Sequence, residues 1–138
     1  MQIVLNGESE DRKGVVRGLE QFCRERRVPP GVMNAADVAL EEHLTNVLSY
    51  GYEPGAPRRV VVSMKVERGC LCVSVEDEGK PFNPLSVPAV DTSIPLTEKP
   101  LGGLGVHLMR QFIDELSYAR ESGKNVLRMR KRLTSAKP

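Results

Sequence analysis

Apolar residues change their spacing along this chain in a clear succession. Residues 2–6 form a short apolar run that reads as a strand. From about Glu8 to Arg27, Val15, Val16, Leu19, Phe22 and Cys23 recur at helical spacing. Val28-Pro29-Pro30-Gly31 ends that helix and turns the chain. A second helix is predicted from about Pro30 to Tyr50, with Asn34 as a point of breakage and Gly51 and Pro54 as its stop. Residues 58–67 then alternate, with Val60, Val62, Met64 and Val66 on one face and Ser63 and Lys65 opposite. Glu67-Arg68-Gly69 reads as a hairpin turn, and residues 70–77 as the returning strand.

The periodicity is then lost. From Glu78 to Pro100 no period is sustained, and five of the ten prolines fall there (81, 84, 88, 95 and 100). An irregular stretch of this length inside a compact domain is usually a lid or a binding loop, or lacks fixed structure. Helical spacing returns from about Gly103 to Leu116. Strands at roughly 117–121 and 125–133, joined by Ser122-Gly123, precede a tail from Thr134 to Pro138. Helices come mostly early, with one antiparallel hairpin in the middle and one at the end. That order predicts an α+β fold, a two-layer α/β sandwich whose mixed, mostly antiparallel sheet carries helices on one face. The 138 residues read as a single domain, 1–138, without internal repeat.

Composition narrows the class. The chain is 40% hydrophobic, 28% charged and only 4% aromatic, as expected of a soluble globular protein. No apolar run approaches the roughly 18 residues of a membrane span. Met1 to Asn6 lacks the features of a secretion signal, so the expected compartment is the cytoplasm. The cysteines agree: three is an odd count, and Cys70 and Cys72 sit two apart on a strand, which is no disulfide framework. Cys70 and Cys72 read as small hydrophobic residues or, with further ligands, as half of a metal site. A net charge of +2 points to no dominant electrostatic partner. Arg128, Arg130 and Arg132 share one strand face, which suits either phosphates or plain solvent. Without interleaved aromatics, the solvated face is preferred and nucleic acid is not an expected partner.

Three short segments carry the candidate chemistry. On the second helix, Leu40, Leu44, Val47 and Leu48 make the main apolar stripe. A second stripe runs through Ala35, Ala39, Glu42 and Asn46, which sets Glu42 and Asn46 one turn apart. Small neighbours would leave room for a ligand there. A carboxylate and a carboxamide so placed suit a Mg²⁺ ion and a hydroxyl that must lose its proton; the alternative is an amphipathic helix with a wet face. On the strand 70–77, alternation puts Asp77 on the inward face with Leu71, Val73 and Val75. A buried carboxylate needs donors, such as the exocyclic amine of a base, with Gly79 allowing close approach; the alternative is an Asx-type turn. The third segment, Leu101-Gly102-Gly103-Leu104-Gly105, opens a helix. Free amides at a helix start suit phosphate oxygens, although they also suit a plain helix N-terminus. The spacing fits neither the dinucleotide-binding fingerprint nor the lysine-bearing phosphate loop. His43 and His107 read as packed or exposed bystanders, and Arg110 as a side chain able to reach a phosphate.

In this order, Glu42-His43-Leu44-Thr45-Asn46, Asp77-Glu78-Gly79-Lys80-Pro81 and Gly102-Gly103-Leu104-Gly105 resemble the motifs of a superfamily of ATPases and kinases. It includes gyrase, the histidine kinases, the mismatch-repair ATPase and the ninety-kilodalton chaperone, and shares the Bergerat ATP-binding fold. Within it the short single-domain form is similar to the bacterial anti-sigma-factor serine/threonine kinases (RsbW-like proteins). The resemblance covers nearly the whole chain, from the first helix to Leu133.

The resemblance implies roles for individual residues. Asn46 would coordinate Mg²⁺, and Glu42 would be the general base toward the acceptor hydroxyl. Asp77 would accept from the adenine amine of ATP, with Gly79 shaping the pocket. Residues 80–101 would be the ATP lid, and Gly102, Gly103, Leu104 and Gly105 would hold phosphates through backbone amides. The implied activity is phosphorylation of a small STAS-type anti-anti-sigma protein, with a sigma factor as a second target and a homodimer as the working form. The competing expectation is a nucleotide-binding adaptor that sequesters its partner with little transfer. Two positions depart from the family pattern. Pro81 stands where the second glycine of the Asp box is usual, and Gly123-Lys124-Asn125 stands where many relatives have Gly-Thr.

Overall fold

Two hairpins build the sheet, and each turns on a pair of residues with positive φ. Arg68 (φ 51°) and Gly69 (φ 73°) make one turn, and Ser122 (φ 52°) and Gly123 (φ 78°) the other. Positive φ at both central residues is the backbone twist that matches paired strands, and glycine in the second place relieves half of its steric cost. The computed structural model describes residues 1–6, 9–50, 59–86 and 103–134. Its elements are β1 (Gln2–Leu5), α1 (Ser9–Glu25), α2 (Pro30–Tyr50), β2 (Val60–Glu67), β3 (Cys70–Asp77), a 3₁₀ turn (Pro84–Ser86), α3 (Gly103–Phe112), β4 (Glu115–Glu121) and β5 (Lys124–Arg132). The strands lie in the order β1-β2-β3-β5-β4, and all four pairings are antiparallel. The α+β sandwich with its helices on one face of the sheet is therefore the observed architecture.

Strand alternation divides the sheet into two unlike faces. Toward the helices point Leu5, Val60, Val62, Met64, Leu71, Val73, Val75, Leu127 and Met129, all buried. Away from them point Ser63, Lys65, Cys72, Ser74, Arg128 and Arg130. Arg128, Arg130 and Arg132 each meet a carboxylate there, Glu121 at 3.5 Å, Glu115 at 3.4 Å and Asp114 at 3.2 Å. The arginine row is thus a salt-bridged, solvent-facing surface, as the absence of interleaved aromatics suggests. Cys70 and Cys72 lie half-buried on this open face, whereas Cys23 is buried in the core.

α1 ends in a cap that the sequence does not advertise. The Val28 N–H donates to the Cys23 carbonyl at 2.8 Å, and Arg27 takes the left-handed conformation (φ 58°) where glycine is usual. Buried Val28 covers this turn and swings the chain directly into α2. α2 is the central helix, flanked by α1 and α3 and seated on the sheet. It runs unbroken through Asn34, which is exposed. Asparagine costs a helix only some tenths of a kcal/mol, less than the burial of Val32, Ala35, Ala36 and Ala39 returns. The alanine stripe does not leave open space. Ala39 is 0% exposed, so these small residues allow close packing rather than a gap for a ligand.

The boundary between α3 and β4 differs from the sequence expectation. α3 stops at Phe112, and β4 starts at Glu115 instead of 117. Met109, Ile113 and Leu116 keep helical spacing, but Leu116 reaches the core from a strand. Asp114 fixes the change: its N–H donates to the Arg130 carbonyl (3.0 Å), and its carboxylate accepts from the Arg132 N–H (2.8 Å).

Candidate functional site

The inner face of the sheet is apolar except at one end. The cross-strand row Val60–Asp77–Asn125–Arg120 spans four strands, and its last three members are polar. Asp77 is only 2% exposed and Asn125 5%. Burial of this kind is costly unless every polar atom is met. Asn125 meets that condition with four hydrogen bonds, the full capacity of a carboxamide. Its Nδ2 donates to Asp77 Oδ1 (3.0 Å) and to the Lys80 carbonyl (2.7 Å). Its Oδ1 accepts from the Phe82 N–H (3.2 Å) and from the Tyr118 hydroxyl.

Asp77 Oδ1 accepts a second bond, from the Gly79 N–H at 2.9 Å. The Asx-type turn and the inward carboxylate are therefore one arrangement rather than alternatives. Arg120 braces the same loop by donating to the Gly79 carbonyl at 2.9 Å. Burial pushes the Asp77 carboxyl above its usual range, and the bonds from Asn125 and Gly79 and the charge of Arg120 partly offset it. Both bonds end on Oδ1, and among the described residues Oδ2 remains for another donor.

The two departures noted in the sequence meet in this unit. Asn125 holds the carbonyl before Pro81 and the amide after it, so the root of the expected lid is clamped on both sides. A threonine at 125 would offer one hydroxyl and could not span both groups. Beyond the clamp, Asn83 caps the short 3₁₀ turn, its Oδ1 accepting from the Leu85 N–H at 2.9 Å with Pro84 in the first helical place. Arg110 donates to the Leu85 carbonyl at 2.6 Å, which ties α3 to this loop.

α2 lies over the polar end. His43 and Val47, four residues apart on one helix face, line a cavity of about 10 Å³ with Asp77, Tyr118, Asn125 and Leu127. His43 is 3% exposed, and its Nδ1 has no hydrogen-bond partner among the described residues. Asn46 lies on the adjoining part of the same face, 6% exposed, and its Nδ2 is likewise unmatched. Glu42 lies elsewhere. Half-buried, it borders a separate groove of about 220 Å³ between α1 and α2, with Arg12, Asp37 and Thr45. Arg12 donates to the Thr45 hydroxyl across that groove and joins the two helices beside Glu42. Burial and the nearby Glu41 and Glu20 raise the Asp37 carboxyl above its usual range.

The geometry therefore assembles part of what the motifs suggest. It brings Asp77 and Gly79 together with Asn125, Tyr118, Arg120 and His43, of which the motif reading singled out only the first two. It buries Asn46 on α2, lining neither the cavity nor the groove, and leaves Glu42 in the neighbouring groove. Gly103, Leu104 and Gly105 form the first turn of α3, as expected. Gly102 and the lid from 87 to 101 lie outside the described residues. The missed partners were readable in part: Asn125 pairs with Asp77 by register, but only once the strand order β3-β5 is known.

Comparison with known proteins places this geometry in a family. The chain is 29% identical over 90 residues to the serine/threonine-protein kinase BtrW of Bordetella bronchiseptica, a match covering 65% of this chain and 63% of that protein. The structure of the RsbU and RsbW domains of Rv1364c from Mycobacterium tuberculosis superposes with a TM-score of 0.65 at 15% identity, covering 96% of this chain and 32% of that one. The histidine kinase domain of the blue-light activated histidine kinase from Erythrobacter litoralis EL346 gives 0.53 at 22% identity, covering 76% and 46%. At these identities the two structures speak for the fold. Residues 6–131 match the family model described as the histidine kinase-like ATPase domain, and the chain belongs to that family.

Proposed function

We propose that this chain is an ATP- and Mg²⁺-dependent protein serine/threonine kinase, one domain over residues 1–138. Its acceptor is a small STAS-type anti-anti-sigma protein, and it acts as the anti-sigma factor of a partner-switching system, as a homodimer in the cytoplasm. Among the described residues no helix is long and apolar enough to cross a membrane. The observation that carries the nucleotide reading is the buried Asp77, held through Oδ1 by Asn125 and Gly79, with no donor on Oδ2 among the described residues. The distant likeness to BtrW supports the kinase reading over other activities of the fold.

The roles follow from the residues. Asp77 would accept from the exocyclic amine of adenine, and the Gly79 backbone would bound the base. The amides that open α3 at Gly103, Leu104 and Gly105, with Gly102 before them, would receive phosphate oxygens. Asn46 offers a hard cation a buried carboxamide oxygen, the class of ligand such ions take; the atom without a partner among the described residues is its Nδ2, so Oδ1 alone would meet the ion. When bound, Mg²⁺ would neutralise charge on the transferring phosphate. Glu42 would take the proton of the acceptor hydroxyl, presented through the groove between α1 and α2.

The direct test is transfer of phosphate from Mg-ATP to a small STAS protein encoded nearby or co-purified with the chain. A stable complex without phosphate on the partner would support the adaptor instead, a reading that the clamped root of the lid keeps open. Asn46→Ala should remove the Mg²⁺-dependent part of nucleotide affinity, about 10- to 100-fold by calorimetric titration with and without Mg²⁺. Its melting temperature should hold, because the change deletes a buried donor that lacks a partner.

Asp77→Asn separates function from folding. The raised carboxyl of Asp77 means the fold favours its protonated form. Stability is therefore lost as pH rises from the ordinary carboxylate range through the folded pKa, and the cost is complete above it. Asparagine keeps an oxygen for Gly79 and Asn125 but presents a donor in place of Oδ2. At neutral pH the variant should melt no lower than the parent while ATP affinity falls about 10- to 100-fold. Unchanged ATP affinity would remove Asp77 from the base site.

A further inference from the structure

We propose that the groove between α1 and α2 docks a lysine or arginine side chain of the acceptor protein, with Asp37 as the residue that selects it. This rests on the kinase reading above and adds to it the chemistry of the acceptor: a basic residue close to the hydroxyl that takes the phosphate.

The groove has two layers of unlike character. Its floor is apolar, made by Val15, Leu40 and Leu44, each 1% exposed. Its rim carries Asp37, Glu41 and Glu42 with one cation, Arg12. That cation is held by a neutral group: Arg12 donates to the Thr45 hydroxyl, which donates in turn to the Glu41 carbonyl at 2.9 Å. Among the described residues no lysine or arginine pairs with the three carboxylates, and Asp37 Oδ1 is buried without a hydrogen-bond partner. The open face of the sheet is the contrast, since Arg128, Arg130 and Arg132 each meet an acid there. A buried carboxylate oxygen is costly to leave unmatched unless a donor arrives. The charge around it has the same sign: burial, Glu41 and Glu20 all raise the Asp37 carboxyl, and no cation offsets them.

Shape decides which donor fits. A hard metal ion needs several oxygens converging on one point, and among the described residues no group of three or more His, Cys, Asp or Glu does so. A long basic side chain has no such requirement. Its methylene stem lies along apolar surface while its charged head reaches the polar rim. The groove, about 220 Å³, presents floor and rim in that arrangement. A guanidinium fork can serve Asp37 Oδ1 and a second rim carboxylate together, where an ammonium acts as a point charge. Glu42 borders the same groove, so a basic side chain seated against Asp37 brings its chain neighbours toward the proposed general base. Asp37 thus acts on the acceptor's basic side chain and not on the hydroxyl.

The first test uses the chain alone. Isotope-labelled protein is titrated with N-acetylarginine amide, with N-acetylnorleucine amide and with MgCl₂, and NMR shifts are followed. The arginine amide should move the signals of Val15, Leu40 and Leu44 together. Asp37→Asn, which keeps the volume and removes the charge, should weaken that binding about 3- to 10-fold. The variant should fold, because the site already favours the uncharged carboxyl. Equal shifts from the norleucine amide or from Mg²⁺ would overturn the proposal, as would parental binding by Asp37→Asn. An arginine amide that leaves the parental spectrum unmoved would overturn it without any variant.

The second test reads the acceptor, with phosphate transfer from Mg-ATP to the co-purified STAS protein. Asp37→Asn should raise the acceptor KM about 3- to 10-fold and leave kcat within about twofold. Alanine in place of the acceptor's basic residue nearest its phosphorylated hydroxyl should do the same, with no further rise when both are changed. A fall in kcat at unchanged KM would place Asp37 in the chemistry and overturn the docking role. A parent that transfers no phosphate would overturn the kinase reading, while the arginine titration would still decide what the groove takes.

Discussion

Glu42→Gln should lower phosphate transfer to a partner by about 10²- to 10⁴-fold while leaving ATP affinity within about twofold. The glutamine keeps the volume of the side chain and its place in the α1–α2 groove but has no basic oxygen to take the hydroxyl proton. Because Glu42 borders that groove and not the Asp77 cavity, the proposed sites of base binding and proton transfer lie on different flanks of α2. The two functions should therefore separate cleanly, by calorimetry for binding and by labelled phosphate on the acceptor for transfer. Transfer retained at near-parental rate would end the general-base assignment and turn attention to Asp37 in the same groove. Loss of binding together with transfer would instead mean that α2 itself had shifted.

The second large effect is expected at Asn125. Asn125→Ala removes four hydrogen bonds at once and leaves the Lys80 carbonyl, the Phe82 amide, the Tyr118 hydroxyl and Asp77 to find other partners. Loop groups can turn to water, but Asp77, 2% exposed, cannot. The expected cost is about 2–4 kcal/mol, most of it from the carboxylate, or roughly 10 °C in melting temperature for a domain of this size. Since the charge of Asp77 is what becomes unsupported, the loss should grow as pH rises from the ordinary carboxylate range through the raised pKa of Asp77. Asn125→Thr should fall between the two, because a hydroxyl can serve Asp77 but cannot reach both sides of Pro81. ATP affinity should track this order, and an alanine variant with parental affinity and stability would show that the Asp77 loop holds its shape unaided.

The clamp changes the meaning of Pro81. In the sequence it is a missing glycine, an amide lost at the root of the lid. In the structure the neighbouring Lys80 carbonyl and Phe82 amide are both taken by Asn125, so a rigid residue sits between two fixed points. Proline fits there because the fixed geometry demands no swing at that position. The two departures are one local solution, and neither is interpretable without the other.

Much of the architecture was legible because it is local. Hairpin turns declare themselves at Arg68-Gly69 and Ser122-Gly123, and β3 occupies the expected residues 70–77. The inward parity of Asp77 follows from alternation with Leu71, Val73 and Val75. The end of α3 differs from its spacing because Met109, Ile113 and Leu116 keep a helical period by coincidence, and a long-range bond from the Arg132 N–H to the Asp114 carboxylate decides the break. The small-residue stripe on α2 was visible, yet its purpose was not: close packing and ligand space produce the same alanines.

The sequence by itself determined the order of elements, the face on which Asp77 lies, and the triplet of segments that points to a nucleotide. Those features depend on neighbours within a few residues, where spacing and turn chemistry act directly. Only the tertiary structure decided that Asn125, 48 residues from Asp77, holds that carboxylate, that His43 lines the cavity beside it, and that Glu42 faces a different groove. Strand order and helix seating bring these groups together, and they arise from burial of the whole core, which no local spacing encodes.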